Sequence, residues 1–273
     1  MSTFPGPVMV ASGCGGTGRE LAAYADLVGL DLVTRSITLD PRSGGPSPRI
    51  VETPSGLVNA IGLQNPGLEH FLATELPWLV RAGVRVFVSI AGSSMGEYAD
   101  LARRLSRAPG VAGLEINIGA PDQVGEDLFD VREPYHAASV VAAVRREFPG
   151  DLPVLAKLRP DLSRIVEGAR GVTDAGATAV VIGNAVPAAM PDGRPGGLSG
   201  PAIGPIALRC VAAVTAELPD VAVIGGGGIS SVDDARRFLD LGARAVQIGT
   251  ALLHDPTTVA RVRAALTREE DAP

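Results

Sequence analysis

The sequence predicts an α/β protein of the (β/α)8 TIM-barrel class with a hairpin insertion after strand 2. Two observations carry this. Eight short apolar runs alternate with longer amphipathic stretches along 273 residues, the size and rhythm of a barrel. The runs are almost continuously apolar, as parallel strands covered on both faces must be. A doubly wound open sheet is the rival, but no Gly-x-Gly-x-x-Gly opens the first helix, where that fold would place it.

The runs are 8–12, 31–37, 84–91, 113–119, 154–158, 179–184, 221–225 and 245–249. Helical periodicity, with apolar residues three and four apart, marks 96–108, 135–148, 162–175, 206–218, 232–241 and 257–267. Gly83, Gly176 and Gly242 stand where C-terminal caps belong. The stretch 39–67 interrupts the alternation and is rich in Pro and Gly. Within it IVETPSGLVNAIG alternates like a hairpin about a Ser-Gly turn, which a linker would not do. One domain, 1–273, is expected.

Lys and Arg number 24 against 30 Asp and Glu, a net charge of −6. No basic stripe is visible, so nucleic-acid binding is not expected, and an acidic surface has no general pull toward anionic membranes. No apolar run reaches the length of a spanning helix, and residues 1–7 carry no targeting pattern. The two cysteines, Cys14 and Cys210, have neither disulfide nor metal-ligand spacing, and no metal site is expected. These features suit a cytoplasmic protein in a reducing compartment.

In a barrel the chemistry gathers at the C-terminal ends of the strands. The last two strands deliver Gly225–Gly228 and Gly249-Thr250. Such turns let backbone N–H groups approach a phosphate, of either a sugar phosphate or a phosphorylated cofactor. The cluster Gly196-Gly197-Leu198-Ser199-Gly200-Pro201 follows the sixth strand and reads as a loop over the same end. All but one of the 24 basic residues are arginine; the exception, Lys157, ends the fifth strand. An inward lysine in an apolar strand needs an anion, and its persistence argues for a site that accepts a point charge but not a planar fork. Asn59, Asn117 and Asn184 end strands or hairpins and together suit a planar ring of alternating donors and acceptors. His70, His136 and His254 form no cluster.

These residues together resemble the dihydroorotate dehydrogenase family of FMN-containing barrels, from about Val8 to Ala251. The most specific stretches are Ala11-Ser12-Gly13-Cys14-Gly15, Thr38-Leu39 with Pro41-Arg42, Asn59 through Gly67, and Gly196–Ile203 with Pro205. They are most similar to the bacterial branch that works with a separate iron–sulfur/FAD subunit. The resemblance implies FMN across the barrel mouth, with its phosphate on Gly227, Gly228, Gly249 and Thr250. Ala11, Ser12, Gly13, Gly200 and Arg35 would adjoin it. Lys157 would sit by the N1/C2=O edge, stabilising the anion of the reduced flavin. Asn59, Gly62, Leu63, Asn117 and Asn184 would hold a dihydropyrimidine-like ring, dihydroorotate or a relative, that gives its hydride to the flavin. A homodimer and the electron-transfer subunit are the implied partners. The chain stops soon after the eighth helix, without the C-terminal extension of such relatives, which weighs against the second.

The resemblance breaks where the family places its catalytic base. The motif Asn-(Ile/Leu)-Ser-Cys-Pro-Asn is here Asn117-Ile118-Gly119-Ala120-Pro121-Asp122. Ala120 cannot accept a proton, and Asp122 replaces an asparagine. Arg35 replaces a lysine and Ala185 a Ser or Thr. Asp122 becomes the substitute base, with Arg35 beside it as its charge partner and Cys14 as second candidate. The other readings are a paralogue acting on a different heterocycle in a specialised biosynthetic pathway, and a non-catalytic flavin-binding barrel.

Overall fold

The computed structural model describes residues 4–119 and 133–270. Along these residues run β1 (Val8–Val10), β2 (Asp31–Val33), β3 (Ile50–Thr53), β4 (Gly56–Asn59), β5 (Arg85–Ile90) and β6 (Val111–Asn117). They continue as β7 (Val154–Leu158), β8 (Ala179–Ile182), β9 (Val186–Ala189), β10 (Pro195–Ser199), β11 (Val223–Gly226) and β12 (Ala245–Ile248). Eight of them close a parallel barrel in the order β1-β12-β11-β8-β7-β6-β5-β2, as the alternation of runs predicts.

Successive side chains of a strand point to opposite faces. One set fills the barrel: Met9, Val33, Phe87, Leu155, Val181 and Ile224 form an apolar interior cluster. The other set, including Val8, Val10, Leu32, Val86 and Val88, packs outward against the helices. Two residues beyond each member of the inner layer the chain points inward again, now closer to the C-terminal mouth. There Leu155 is followed by Lys157, Ala245 by Gln247 and Phe87 by Ser89, all buried. The period of two thus stacks a polar layer directly above an apolar one.

The outer helices span Met95–Leu105, Pro134–Glu147, Ile165–Asp174, Gly204–Glu217, Val232–Asp240 and Thr258–Glu270, close to the predicted stretches. Ser231 opens one of them with a reciprocal capping box to Asp234. Gly83, Gly176 and Gly242 take φ of 76°, 105° and 93°, the left-handed geometry that a C-terminal cap demands. A further helical stretch covers 68–81, with one wide π turn over Phe71–Glu75. That turn falls just before Pro77, which has no N–H to offer the preceding turn. At the opposite end of the barrel buried Asp31 accepts from Gly6 N at 2.5 Å and pairs with Arg85 at 3.0 Å, fastening the chain's beginning across the bottom.

The predicted insertion hairpin is β3–β4, but it turns on Pro54-Ser55, one residue earlier than Ser-Gly, with Thr53 opposite Gly56. Gly56 is needed for another reason: a Cβ there would collide with the carbonyl of Ser199. Within the glycine cluster after the sixth barrel strand, Gly196 to Ser199 are not loop but part of β10, half of a second hairpin with β9. β10 also pairs with β4, Gly197 opposite Asn59 and Ser199 opposite Leu57. Two insertions 100 and more residues apart therefore join into one sheet, β3-β4-β10-β9. Its own small core is Val58, Ala60 and Met190.

Phe87 is fully buried in the barrel interior. Truncating it in Phe87→Ala should lower the unfolding free energy by about 3–5 kcal/mol, read from urea denaturation. A loss under about 1 kcal/mol would mean that the interior layer is not close-packed.

Candidate active site

The mouth of the barrel opens into a cavity of about 1030 Å³, walled on one side by the two-hairpin sheet. The structure brings almost all of the predicted residues to it. Ala11, Ser12 and Gly13 line it from the end of β1, and Arg35 from beyond β2. Asn117, Lys157 and Asn184 line it from the ends of β6, β7 and β8. Asn59 and Leu63 enter from the first hairpin, Gly200 from the second, and Gly227, Gly228, Gly249 and Thr250 from the turns after β11 and β12. Gly62 does not line the cavity among the described residues. Its φ of 70° turns the backbone against Gly44 and Gly45, where a Cβ would lie 2.7 Å from Gly45 N. Asp122 lies outside the described residues.

The glycine turns fit an anion. Gly228 has φ of 74°, and a Cβ on it would lie 2.8 Å from Gly204 Cα. Glycine lets the 200–204 segment close against the turn. Among the described residues no carbonyl or side chain accepts from the backbone N–H of Gly227, Gly228, Gly249 or Thr250. These donors border the cavity, and unpaired backbone donors call for an acceptor. Thr250 Oγ1 donates to Ser199 Oγ at 2.9 Å, tying the second hairpin to the turn after β12.

The amide wall is a connected chain. Asn184 Nδ2 donates to Asn117 Oδ1 at 3.1 Å, and Asn117 Nδ2 donates to Ser36 Oγ at 2.9 Å. Ser36 and Ser89 share a hydrogen bond of 2.9 Å. Each amide has one orientation in this chain, so each presents a defined donor or acceptor to the cavity. Asn59 stands apart, its Nδ2 given to Gly197 O at 3.2 Å across the sheet.

Leu63 is the one non-glycine residue with positive φ, 53°, among the described residues. Buried Asn65 holds it there. Its Oδ1 accepts from Thr38 N and Gly67 N, and its Nδ2 donates to Leu63 O at 2.9 Å. A strained leucine held over a cavity by a buried amide is the pattern of a ligand-facing loop.

Lys157 is 4% exposed. Its Nζ donates to Gln247 Oε1 at 2.8 Å and faces Glu115 Oε1 at 3.4 Å. Gln247 Nε2 in turn donates to Glu115 Oε2 at 2.6 Å. Sequence reasoning missed Glu115 and Gln247, and also Ser36 and Ser89. The available signal was a polar residue at an inward position of an apolar strand, two residues from another inward one.

The remaining electrostatics sort the basic and acidic candidates. The buried Nε of Arg35 has no hydrogen-bond partner among the described residues, so its fork is partly unused beside the cavity. Burial pushes the Cys14 thiol up to about 11, against the opposing pull of the Lys157 charge. The burial cost of its thiolate weighs against Cys14 as the base. A phosphorylated planar cofactor suits this set: unpaired backbone donors at one end, a buried ammonium at the barrel axis, and an amide wall beyond.

A family model described as dihydroorotate dehydrogenase matches residues 1–269. The catalytic subunit of dihydroorotate dehydrogenase B (NAD(+)) from Desulforudis audaxviator is 46% identical, over 97% of this chain and 88% of the relative. The subunit of the same name from Anoxybacillus flavithermus is 43% identical, over 92% and 82%. Among solved structures, dihydroorotate dehydrogenase from Eimeria tenella in complex with ferulenol superposes with a TM-score of 0.81 at 20% identity. That match covers 97% of this chain and 81% of the other, a likeness of fold.

Alkylation tests the state of Cys14. With a thiol raised to about 11, the reactive thiolate is scarce at neutral pH and grows about tenfold per pH unit. Site-resolved mass spectrometry should find Cys14 unlabelled by iodoacetamide at pH 7, with a rate climbing steadily through pH 9. Rapid labelling at pH 7 would contradict this.

Proposed function

The chain belongs to the dihydroorotate dehydrogenase family, a family of flavin-dependent oxidoreductases, and from that footing we propose that it binds FMN and oxidises a dihydropyrimidine-like ring, with dihydroorotate as the first candidate. The observation that carries the reading is Lys157. The chain's lone lysine ends a barrel strand, is buried, and faces a cavity that also holds the unpaired turn donors and the amide wall.

FMN, when bound, supplies the hydride acceptor. The N–H groups of Gly227, Gly228, Gly249 and Thr250 hold its phosphate, and Ala11, Ser12 and Gly13 leave room for a flat ring by offering small or no side chains. Lys157 offers a positive charge that needs no reorganisation when negative charge develops beside it. Asn117 and Asn184, fixed by Ser36, orient the substrate ring, with Asn59 and Leu63 closing over it from the hairpin. Arg35 offers its unused donors to an anionic group of the substrate. The cavity wall and the hairpin sheet exclude water. The proton lost with the hydride goes to Asp122, the carboxylate two residues beyond Ala120.

The relatives' name describes a catalytic subunit, which supports a separate electron-transfer subunit, of the iron–sulfur/FAD kind, as the outlet for the electrons. A second copy of the chain as a dimer partner belongs to the same reading. A second substrate reading has its own observation. Ala120, Asp122 and Ala185 stand where the family's motif has Cys, Asn and Ser or Thr, which favours a ring that is neutral or bears an amine over one with a carboxylate.

The protein should purify yellow with FMN, and anaerobic dihydroorotate should bleach its flavin absorbance. Asp122→Asn should slow that bleaching by about 10²–10⁴ with FMN content unchanged. Bleaching by another dihydro-heterocycle but not by dihydroorotate would establish the second substrate reading. Purification without flavin would overturn both.

A further inference from the structure

We infer that Glu115 and Gln247 are positioning residues that hold the Lys157 ammonium at the barrel mouth and through it set how tightly FMN binds and how readily it is reduced. The inference rests on the reading that FMN binds in the cavity that Lys157 lines.

The three side chains form a closed triangle. Lys157 Nζ donates to Gln247 Oε1 at 2.8 Å, Gln247 Nε2 donates to Glu115 Oε2 at 2.6 Å, and Glu115 Oε1 faces Lys157 Nζ at 3.4 Å. Glu115 is fully buried and Gln247 is 2% exposed. An amide has one oxygen and one NH2. Gln247 turns the oxygen to the ammonium and the NH2 to the carboxylate, so its orientation is matched to a positive Lys157 and a negative Glu115. The ammonium carries three donors. One goes to Gln247, one side faces Glu115, and the remaining side borders the cavity.

This arrangement also accounts for the lysine itself. The triangle presents acceptors to a single nitrogen, and a planar guanidinium with five donors would leave most of them unmatched there. In a chain whose other basic residues are all arginine, position 157 is the one that a fork cannot fill.

Stability does not explain the triangle. A buried ion pair is weak as a stabiliser, and well-packed apolar residues in its place are often neutral or better. The layer just below shows this solution, being built of Met9, Val33, Phe87 and Leu155. The triangle lies at the level that adjoins the cavity, where a fixed charge acts on what binds there.

The test is a double-mutant cycle on the full chain, with Glu115→Gln made in the native background and in Lys157→Met. FMN affinity is measured by titration of apoprotein, and the midpoint potential by dye equilibration. In the native background E115Q should weaken FMN binding about tenfold, the worth of one charge-assisted hydrogen bond. It should also move the potential to more negative values relative to the same change made in K157M, and in K157M the affinity should not change. Gln247→Met, which keeps bulk beside Met9, should act in the same direction and carries the test if E115Q does not fold. Equal effects in both backgrounds, or unchanged affinity and potential in a folded E115Q, would overturn the inference. Failure of the unaltered protein to bind FMN would remove the flavin reading and this inference with it.

Discussion

A positive charge buried at the axis of the barrel is the constraint around which this molecule is arranged. Lys157 reaches the axis because the fifth barrel strand alternates, Leu155 inward below and Lys157 inward above. Such a charge needs compensation at close range, and Glu115 and Gln247 provide it from the fourth and eighth barrel strands. Breaking a buried pair by removing one partner commonly costs about 3–5 kcal/mol, so the polar layer is held to its composition. What the barrel gains is a charge that points at the mouth and does not have to be assembled when a ligand arrives.

The mouth is completed by two insertions that meet. The hairpin after the second barrel strand and the one after the sixth pair through β4 and β10. One hairpin carries Asn59 and Leu63 and the other Gly200. The contact is so close that a Cβ on Gly56 would collide with the Ser199 carbonyl and one on Gly200 with Gly56 Cα. The same second hairpin is tied to the turn after β12 through Ser199 and Thr250. The amide wall, the glycine turns after β11 and β12 and the barrel axis are therefore tied together through one sheet and one side-chain hydrogen bond, which suits the proposed role of positioning two reactants.

Much of this was legible in the sequence, for physical reasons. Parallel strands buried on both faces have to be apolar throughout, so all eight barrel strands stood out. The caps Gly83, Gly176 and Gly242 were legible because positive φ excludes most other residues. Lys157 showed itself against a background of arginine. The second hairpin did not, since Val186-Pro-Ala-Ala and Pro195-Gly-Gly-Leu-Ser carry no alternation and too much Pro and Gly to read as strands. Its pairing is supplied by β4, more than a hundred residues away. Glu115 and Gln247, 132 residues apart, look like isolated polar interruptions until the closed barrel makes them neighbours. Gly62, which the resemblance places among the substrate residues, packs so closely against Gly44 and Gly45 that a Cβ would collide there.

In the proposed reading Ala120 and Asp122 bear on the proton and Lys157 on the charge at the barrel axis, and the two can be examined separately. The lone lysine makes the second directly observable. Protein grown with 15N-labelled lysine side chains yields a single Nζ resonance. A buried, hydrogen-bonded ammonium facing the cavity, with FMN bound there as proposed, predicts one slowly exchanging signal that moves to a new position when apoprotein is titrated with FMN. A signal that exchanges freely with water and ignores FMN would contradict the account at its centre.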